Sequence, residues 1–138
     1  MAETFQSGDV ILYPYLWRRE AEKGETEGRK SRPVAVVLRL PVENKIYLYL
    51  FPITSKQPIA SEIALEIPAL EMKRIGLSSM DRSWIILNEF NRDIIGESYY
   101  LEPNKDPLGR FSARFEGIII KNAANHLRSL SALVVRSP

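Results

Sequence analysis

PVAVVLRL at residues 33–40 is followed, after a short turn around Pro41 and Asn44, by KIYLYLF at residues 45–51. Both runs are rich in β-branched and aromatic residues and carry apolar side chains at consecutive positions, which is typical of strands buried on both faces. Because the connection between them is short, the two runs predict an antiparallel hairpin with little exposed surface. This hairpin forms the centre of the predicted fold.

Further strands are predicted on both sides of the hairpin. The run VILYPYLW at residues 10–17 has strand composition, and its Pro14 favours an edge position or a bulge. Downstream, residues 61–67 alternate weakly, residues 83–90 form another apolar strand, and residues 97–101 suggest one more. The middle of the chain is therefore predicted to be nearly all β.

Helical spacing appears near the C-terminal end. Ser112 is a suitable N-cap, and apolar residues then recur every three to four positions. They are Phe115, Ile118, Ile119, Ala123 and Leu127. Residues 68–72, ended by Gly76, predict one or two helical turns, and residues 132–135 predict a last strand or an apolar tail.

Short antiparallel strands in a small domain tend to close on themselves, because closure removes exposed strand edges. We therefore predict a mainly β fold, a small SH3-like antiparallel barrel with a C-terminal α-helix, in a single domain over residues 1–138. Residues 18–31 mix both charges with two glycines and show no apolar period. They predict a long mobile loop rather than a helix packed on a core.

The composition narrows the functional classes. The chain has no cysteine, which excludes a disulfide framework, a thiolate zinc site and a cysteine nucleophile. The scattered glycines and the one histidine form no nucleotide-binding loop or metal-ligand set, so we expect no cofactor and no metal. With no signal-like N-terminus and no run of roughly 18 apolar residues, we expect a cytoplasmic protein that does not enter the membrane. A net charge of +2 permits nucleic-acid binding without requiring it.

Two polar motifs stand at the ends of the central strands. KSRP at residues 30–33 precedes the first hairpin strand, and PITS at residues 52–55 ends the second, so antiparallel pairing brings both to the same rim. The Arg32 guanidinium offers a fixed fork of donors to a phosphate, and the Thr54 hydroxyl donates or accepts a hydrogen bond. Together they predict a phosphodiester site, although a surface ion pair of Arg32 and a local backbone bond of Thr54 remain open alternatives.

The order of four motifs carries a resemblance to a known family. GDV at residues 8–10, RPVAVV at 32–37, PITS at 52–55 and LGRFS at 108–112 follow one another along the chain. This pattern, from Gly8 to about Leu127, resembles the MazF/PemK family of toxin endoribonucleases from bacterial toxin–antitoxin modules. The chain departs from the family in two places: some members have an acidic residue on a later strand where this chain has Asn88, followed by Glu89, and compact members have a shorter loop than residues 18–31.

The resemblance implies an SH3-like barrel that forms a homodimer, cuts single-stranded RNA at short sequences without a metal, and is inhibited by a cognate antitoxin. Arg32 and Thr54 match the family's catalytic Arg and Thr, and Glu89 is the nearest candidate for a general base, or else a solvated strand residue. RNA-binding candidates are Arg29, Lys30, Ser55, Lys56 and Asn88. Two alternatives remain: a barrel that binds a protein target such as DNA gyrase, and a nucleic-acid-binding module without nuclease activity.

Overall fold

The computed structural model describes residues 4–26, 30–79, 81–128 and 133–136. Its strands are β1 (Asp9–Tyr13), β2 (Arg32–Val42), β3 (Lys45–Thr54), β4 (Ala64–Glu66), β5 (Trp84–Ile86), β6 (Phe90–Ile94), β7 (Gly109–Arg110) and β8 (Leu133–Val135). Its helices are α1 (Arg18–Glu22), α2 (Ala69–Arg74) and α3 (Ala113–Leu127).

The predicted central hairpin is confirmed. Strands β2 and β3 pair antiparallel, with Val34 opposite Pro52 at one end and Val42 opposite Lys45 at the other. Glu43 in the connecting turn adopts a positive φ of 58°, in the left-handed region that tight hairpin turns require. The local signal of two apolar runs joined by a short turn was therefore sufficient to place both strands.

The hairpin is buried on both faces from Val34 to Val37 and from Leu50 to Ile53, whereas its turn end is more exposed than predicted, with Leu40 at 38% and Val42 at 43%. One face packs against α2 and α3, in a cluster that includes Ala35, Val37, Phe51, Ile53, Met72, Phe115 and Ile119. The other face packs against the chain before and after β1, in a cluster that includes Phe5, Tyr13, Tyr15, Trp17, Val34, Val36, Leu48 and Leu50. Fully burying one such aliphatic or aromatic side chain contributes about 1.5–3 kcal/mol to the stability of the fold. The two clusters therefore stabilise the sheet from both sides.

The strand pairing gives an open sheet and does not close into the predicted barrel. The main path runs β4-β5-β3-β2-β1-β7, and β6 pairs with β3 on one side and with β8 on the other. The described strand pairs are antiparallel except for β6 with β8. The edge strands β4, β7 and β8 are two or three residues long, and edges this short expose few unpaired backbone groups. A mainly β fold with a C-terminal helix is thus confirmed, whereas barrel closure is not found.

Two local predictions need correction. The strand predicted at residues 97–101 is absent, and the pairing strand is instead β6, which starts at the end of the predicted strand 83–90. Helix α1 lies inside the predicted loop at residues 18–31, where the Glu20 carboxylate accepts a hydrogen bond from the Trp17 backbone N–H at 3.2 Å. None of the five α1 residues is buried, which explains why the sequence showed no apolar period there.

The predicted C-terminal helix is confirmed together with its cap. The Ser112 hydroxyl accepts a hydrogen bond from the Phe115 backbone N–H at 3.2 Å, which satisfies one of the free N–H groups at the start of α3. The predicted last strand corresponds to β8, and Ala132 lies outside the described residues. No helix in the described part of the chain is long and apolar enough to cross a membrane.

Candidate functional site

A cleft of about 490 Å³ opens at the end of the central hairpin, where β2 begins and β3 ends. Residues 30–33 and residues 53–56, which contain the two polar motifs, both line it. A volume of this size is in the usual range for small-molecule and cofactor sites, roughly 300–1,000 Å³. The predicted meeting of Arg32 and Thr54 in one cleft is therefore found in the structure.

The register of the sheet explains this meeting. Because Val34 lies opposite Pro52 in the β2–β3 pair, the residues two positions further out on each strand, Arg32 and Thr54, reach facing positions. On their outer sides, Arg32 pairs with Tyr13 of β1 and Thr54 pairs with Trp84 of β5. Both residues are thus held in backbone ladders, and their positions do not depend on a loop.

The Arg32 side chain rests on an aromatic ring. Its guanidinium carbon lies 5.3 Å from the centroid of the Trp17 ring, and the Arg19 guanidinium lies 4.9 Å from the same centroid. The Trp17 ring is buried and contacts the Tyr15 ring edge to face, with 5.0 Å between the centroids. Stacking on a fixed indole orients the Arg32 guanidinium before any ligand arrives.

The Thr54 hydroxyl makes the local bond that the alternative interpretation expected. Its oxygen accepts a hydrogen bond from the Lys56 backbone N–H at 3.1 Å. Because the oxygen acts as the acceptor in this bond, the hydroxyl proton remains free to donate to a ligand in the cleft. The local bond therefore orients Thr54 and leaves its donor available.

The charge of the cleft favours an anionic ligand. Four basic residues line it, namely Arg19, Lys30, Arg32 and Lys56. Among the described lining residues there is one carboxylate, Glu62. A concave surface lined mainly by one sign of charge concentrates ligands of the opposite sign.

Three buried polar atoms on the cleft residues have no hydrogen-bond partner among the described residues. They are the Trp17 Nε1, the Arg32 Nε and the Ser83 hydroxyl oxygen. Leaving a buried polar group without a partner costs about 1–3 kcal/mol, so such groups call for an explanation. Two of the three are donors only and the third is a hydroxyl, so an acceptor oxygen is what each of them lacks.

Glu89 does not line the cleft, although it binds the chain at Arg18, between the lining residues Trp17 and Arg19. Its carboxylate is buried and accepts hydrogen bonds from the Tyr15 hydroxyl at 3.0 Å and from the Arg18 backbone N–H at 2.9 Å. Burial raises the pKa of Glu89 above its ordinary value. Glu89 is thus neither a cleft residue nor the solvated residue of the alternative interpretation, and it fastens the start of α1 to the end of the β5–β6 connection.

Asn88 also has a structural position outside the cleft lining. Its side-chain oxygen accepts a hydrogen bond from the Ile63 backbone N–H, and its amide nitrogen donates to the Ser61 carbonyl, each at 3.0 Å. These two bonds attach the chain before β4 to the chain after β5. Of the other predicted RNA-binding residues, Lys30, Ser55 and Lys56 line the cleft, and Arg29 lies outside the described residues.

The sequence did not single out five cleft residues. They lie outside both motifs and are Gln57, Ile59, Glu62, Leu77 and Ser83. Ser83 reaches the site because β5 pairs with β3, and this long-range pairing has no local sequence signal. The described residues contain no group of three or more His, Cys, Asp or Glu side chains that would hold a metal ion.

Comparison with known proteins assigns no family to the chain and no role to the cleft. No family model, curated protein or solved structure matches the chain.

Proposed function

We propose that this protein is a MazF/PemK-like endoribonuclease, the toxin of a toxin–antitoxin module, which cleaves single-stranded RNA without a metal in the cleft at Arg32 and Thr54. The observation that supports the proposal is that the two resembling motifs, at residues 30–33 and 52–55, contribute to one open, mainly basic cleft. The proposal also concerns the fold: this open sheet would correspond to the SH3-like barrel of that family.

Arg32 and Thr54 have different roles in metal-free cleavage. The 2′-oxygen attacks the adjacent phosphorus, and the negative charge that develops on the phosphoryl oxygens is stabilised by the Arg32 guanidinium. The Thr54 hydroxyl donates a hydrogen bond to a nonbridging oxygen and so positions the phosphate. Removing one preorganised donor to a developing oxyanion costs roughly a hundred- to a thousandfold in rate. The products carry 2′,3′-cyclic phosphate and 5′-hydroxyl ends.

The remaining cleft residues bind the RNA strand on either side of the cleaved bond. Lys30 and Lys56 contact neighbouring phosphates, and Ser55 hydrogen-bonds the backbone. The proposed partners, following the resemblance, are single-stranded RNA, a second copy of the chain that completes the RNA groove, and a cognate antitoxin that covers it in the cytoplasm.

The direct test is cleavage of a long unstructured RNA by the Arg32→Ala variant in EDTA. We expect wild-type protein to cut the RNA and the variant to lose at least a hundredfold in rate, because the charge developing on the phosphate has lost its main donor. Arg92→Ala is the matched control: Arg92 also stacks on an aromatic ring, with its guanidinium 5.4 Å from the Tyr47 centroid, but does not line the cleft.

Two results would contradict the proposal. Unchanged cleavage by Arg32→Ala, with Arg92→Ala also active, would remove Arg32 from the mechanism. Products with 3′-hydroxyl ends would show that water, and not the 2′-oxygen, attacks the phosphorus.

One observation favours a second candidate, a nucleic-acid-binding module without nuclease activity. The carboxylate expected to act as base, Glu89, is engaged by Tyr15 and Arg18 and does not line the cleft. Such a module would bind RNA in the same cleft and leave it intact. Wild-type protein that retains 2′-O-methyl RNA on a filter but never cuts the corresponding unmodified RNA would establish this candidate.

A further inference from the structure

Attack by a ribose 2′-hydroxyl needs a group that removes its proton, and Glu89 does not meet this need because it does not line the cleft. A base must approach the proton within hydrogen-bond reach, directly or through one water. The search for a base is therefore a search among the groups that face the same cleft as Arg32 and Thr54.

The cleft residues leave one candidate. The side chains of Arg19, Lys30, Arg32 and Lys56 are cationic, and the hydroxyls of serine and threonine do not ionise near neutral pH. Glu62 is the one carboxylate among the described lining residues. His126, the only histidine of the chain, belongs to α3 and does not line the cleft.

Glu62 is held in place by the turn in which it lies. Its backbone N–H donates to the Ile59 carbonyl at 2.9 Å, and its side-chain Oε1 accepts a hydrogen bond from the Ile59 backbone N–H at 3.0 Å. Ile59 also lines the cleft, so this closed turn forms part of the wall. With Oε1 occupied, the second carboxylate oxygen, Oε2, is the one available to accept a proton.

We propose that Glu62 is the general base of the RNA-cleaving cleft, an inference that rests on the proposed ribonuclease activity. Glu62 Oε2 takes the proton of the 2′-hydroxyl while the 2′-oxygen forms its bond to phosphorus. The bond between phosphorus and the 5′-oxygen breaks, its electron pair stays on the 5′-oxygen, and that oxygen takes a proton from water. The proton on Glu62 then returns to solvent, so no other reactant is consumed.

A purely structural role for Glu62 makes a different prediction, and Glu62→Gln separates the two. Glutamine keeps the side-chain oxygen that accepts from the Ile59 N–H, so the turn is retained, but its amide does not act as a base. If Glu62 serves only to close the turn, Glu62→Gln therefore retains wild-type activity. If Glu62 is the base, we expect single-turnover cleavage to fall by at least about a hundredfold.

The matched control is Glu66→Gln. Glu66 lies on β4, is paired with Arg82 at 2.9 Å and does not line the cleft, so its variant should cleave within twofold of wild type. Binding of 2′-O-methyl RNA, which has no 2′-proton to remove, should be within twofold of wild type for both variants. Glu62→Asp retains a carboxylate and should keep more activity than Glu62→Gln.

A further readout identifies the role of the group. On RNA with sulfur in place of the cleaved 5′-oxygen, whose leaving group needs no proton, the Glu62→Gln deficit should persist. A deficit that disappears on this substrate would show that Glu62 acts as an acid and would overturn the proposal.

The failure of this inference is distinct from failure of the proposed function. If wild-type protein cuts RNA, Arg32→Ala does not and Glu62→Gln is fully active, the ribonuclease stands and the assignment of Glu62 is wrong. If wild-type protein itself leaves RNA intact, both the ribonuclease and its base are rejected.

Discussion

Arg32 is oriented by an aromatic ring, and this contact should contribute to activity. Cation–π contacts of this kind are worth about 0.5–2 kcal/mol, which corresponds to a factor of up to about 30 in rate if the orientation matters only during cleavage. We expect Trp17→Leu to lower RNA cleavage about tenfold, since leucine offers no π face. Trp17→Phe keeps a ring and should stay within threefold of wild type. Equal activity of the two variants would show that the ring does not orient Arg32.

Glu89 should give the stability of the protein a specific pH dependence. Burial raises its pKa in the folded state above the ordinary value of 4.5, so the folded protein holds this proton more tightly than the unfolded chain. The contribution of Glu89 to the free energy of unfolding is therefore complete below pH 4.5 and is lost as pH rises through the raised pKa.

Glu89→Gln removes this titration while keeping an oxygen that accepts from Tyr15 and Arg18. In urea unfolding at several pH values between 4 and 7, wild type should lose stability relative to Glu89→Gln as pH increases. A stability difference that is constant over this range, or that moves in favour of wild type, would contradict the assignment.

Among the elements, the approach of β7 to the end of α2 requires a glycine. A Cβ added to Gly109 would collide with the Arg74 carbonyl oxygen and lie 2.7 Å from the Ile75 Cα, and these backbone atoms cannot move aside cheaply. We expect Gly109→Ala to lower the free energy of unfolding by about 1–3 kcal/mol, measured by urea denaturation.

Gly117 provides the opposite case. It lies in α3, and a Cβ added there would meet nothing within 4 Å. Alanine is favoured over glycine in a helix by about 0.5–1 kcal/mol, so Gly117→Ala should stabilise the protein. If both alanine variants change the free energy of unfolding in the same direction, the contact with the end of α2 does not determine the effect of Gly109→Ala.

The elements that the sequence predicted are those with a local signal. The hairpin of β2 and β3 and the capped helix α3 each follow from a periodic run and its adjacent turn or cap. Strand β6 was misplaced because the apolar run at residues 83–90 is interrupted at Asn88, whose side chain bonds to the backbone of residues 61 and 63. No pattern within the run itself reveals that remote contact.

The residues of the candidate site also divide into those with a local sequence signal and those without one. Arg32 and Thr54 were predictable because neighbouring antiparallel strands bring their ends together, and the register of one hairpin suffices to place them. Glu62 follows the second motif by seven residues, in a turn that it closes with Ile59, and Ser83 reaches the cleft through the pairing of β5 with β3. Glu89 was placed wrongly because its burial between Tyr15 and Arg18 depends on contacts more than 70 positions away in the chain.

For the whole molecule, what matters for RNA binding is where the charge lies. The net charge is only +2, yet four basic side chains and one carboxylate meet in the cleft, so RNA should bind there with a moderate dependence on salt. Each phosphate contact on a single strand contributes about −0.7 to the slope of log affinity against log salt concentration, and four contacts give about −2.8.

On this basis, raising salt from 50 to 200 mM should weaken binding of 2′-O-methyl RNA by about 50-fold. Lys56→Ala should make the slope shallower by about 0.7, because one phosphate contact is lost, whereas Arg92→Ala should leave it unchanged. Fluorescence titrations at four salt concentrations measure these slopes. A wild-type slope near zero would exclude phosphate contacts as the source of affinity, and a slope much steeper than −2.8 would mean that the RNA also follows basic residues beyond the cleft.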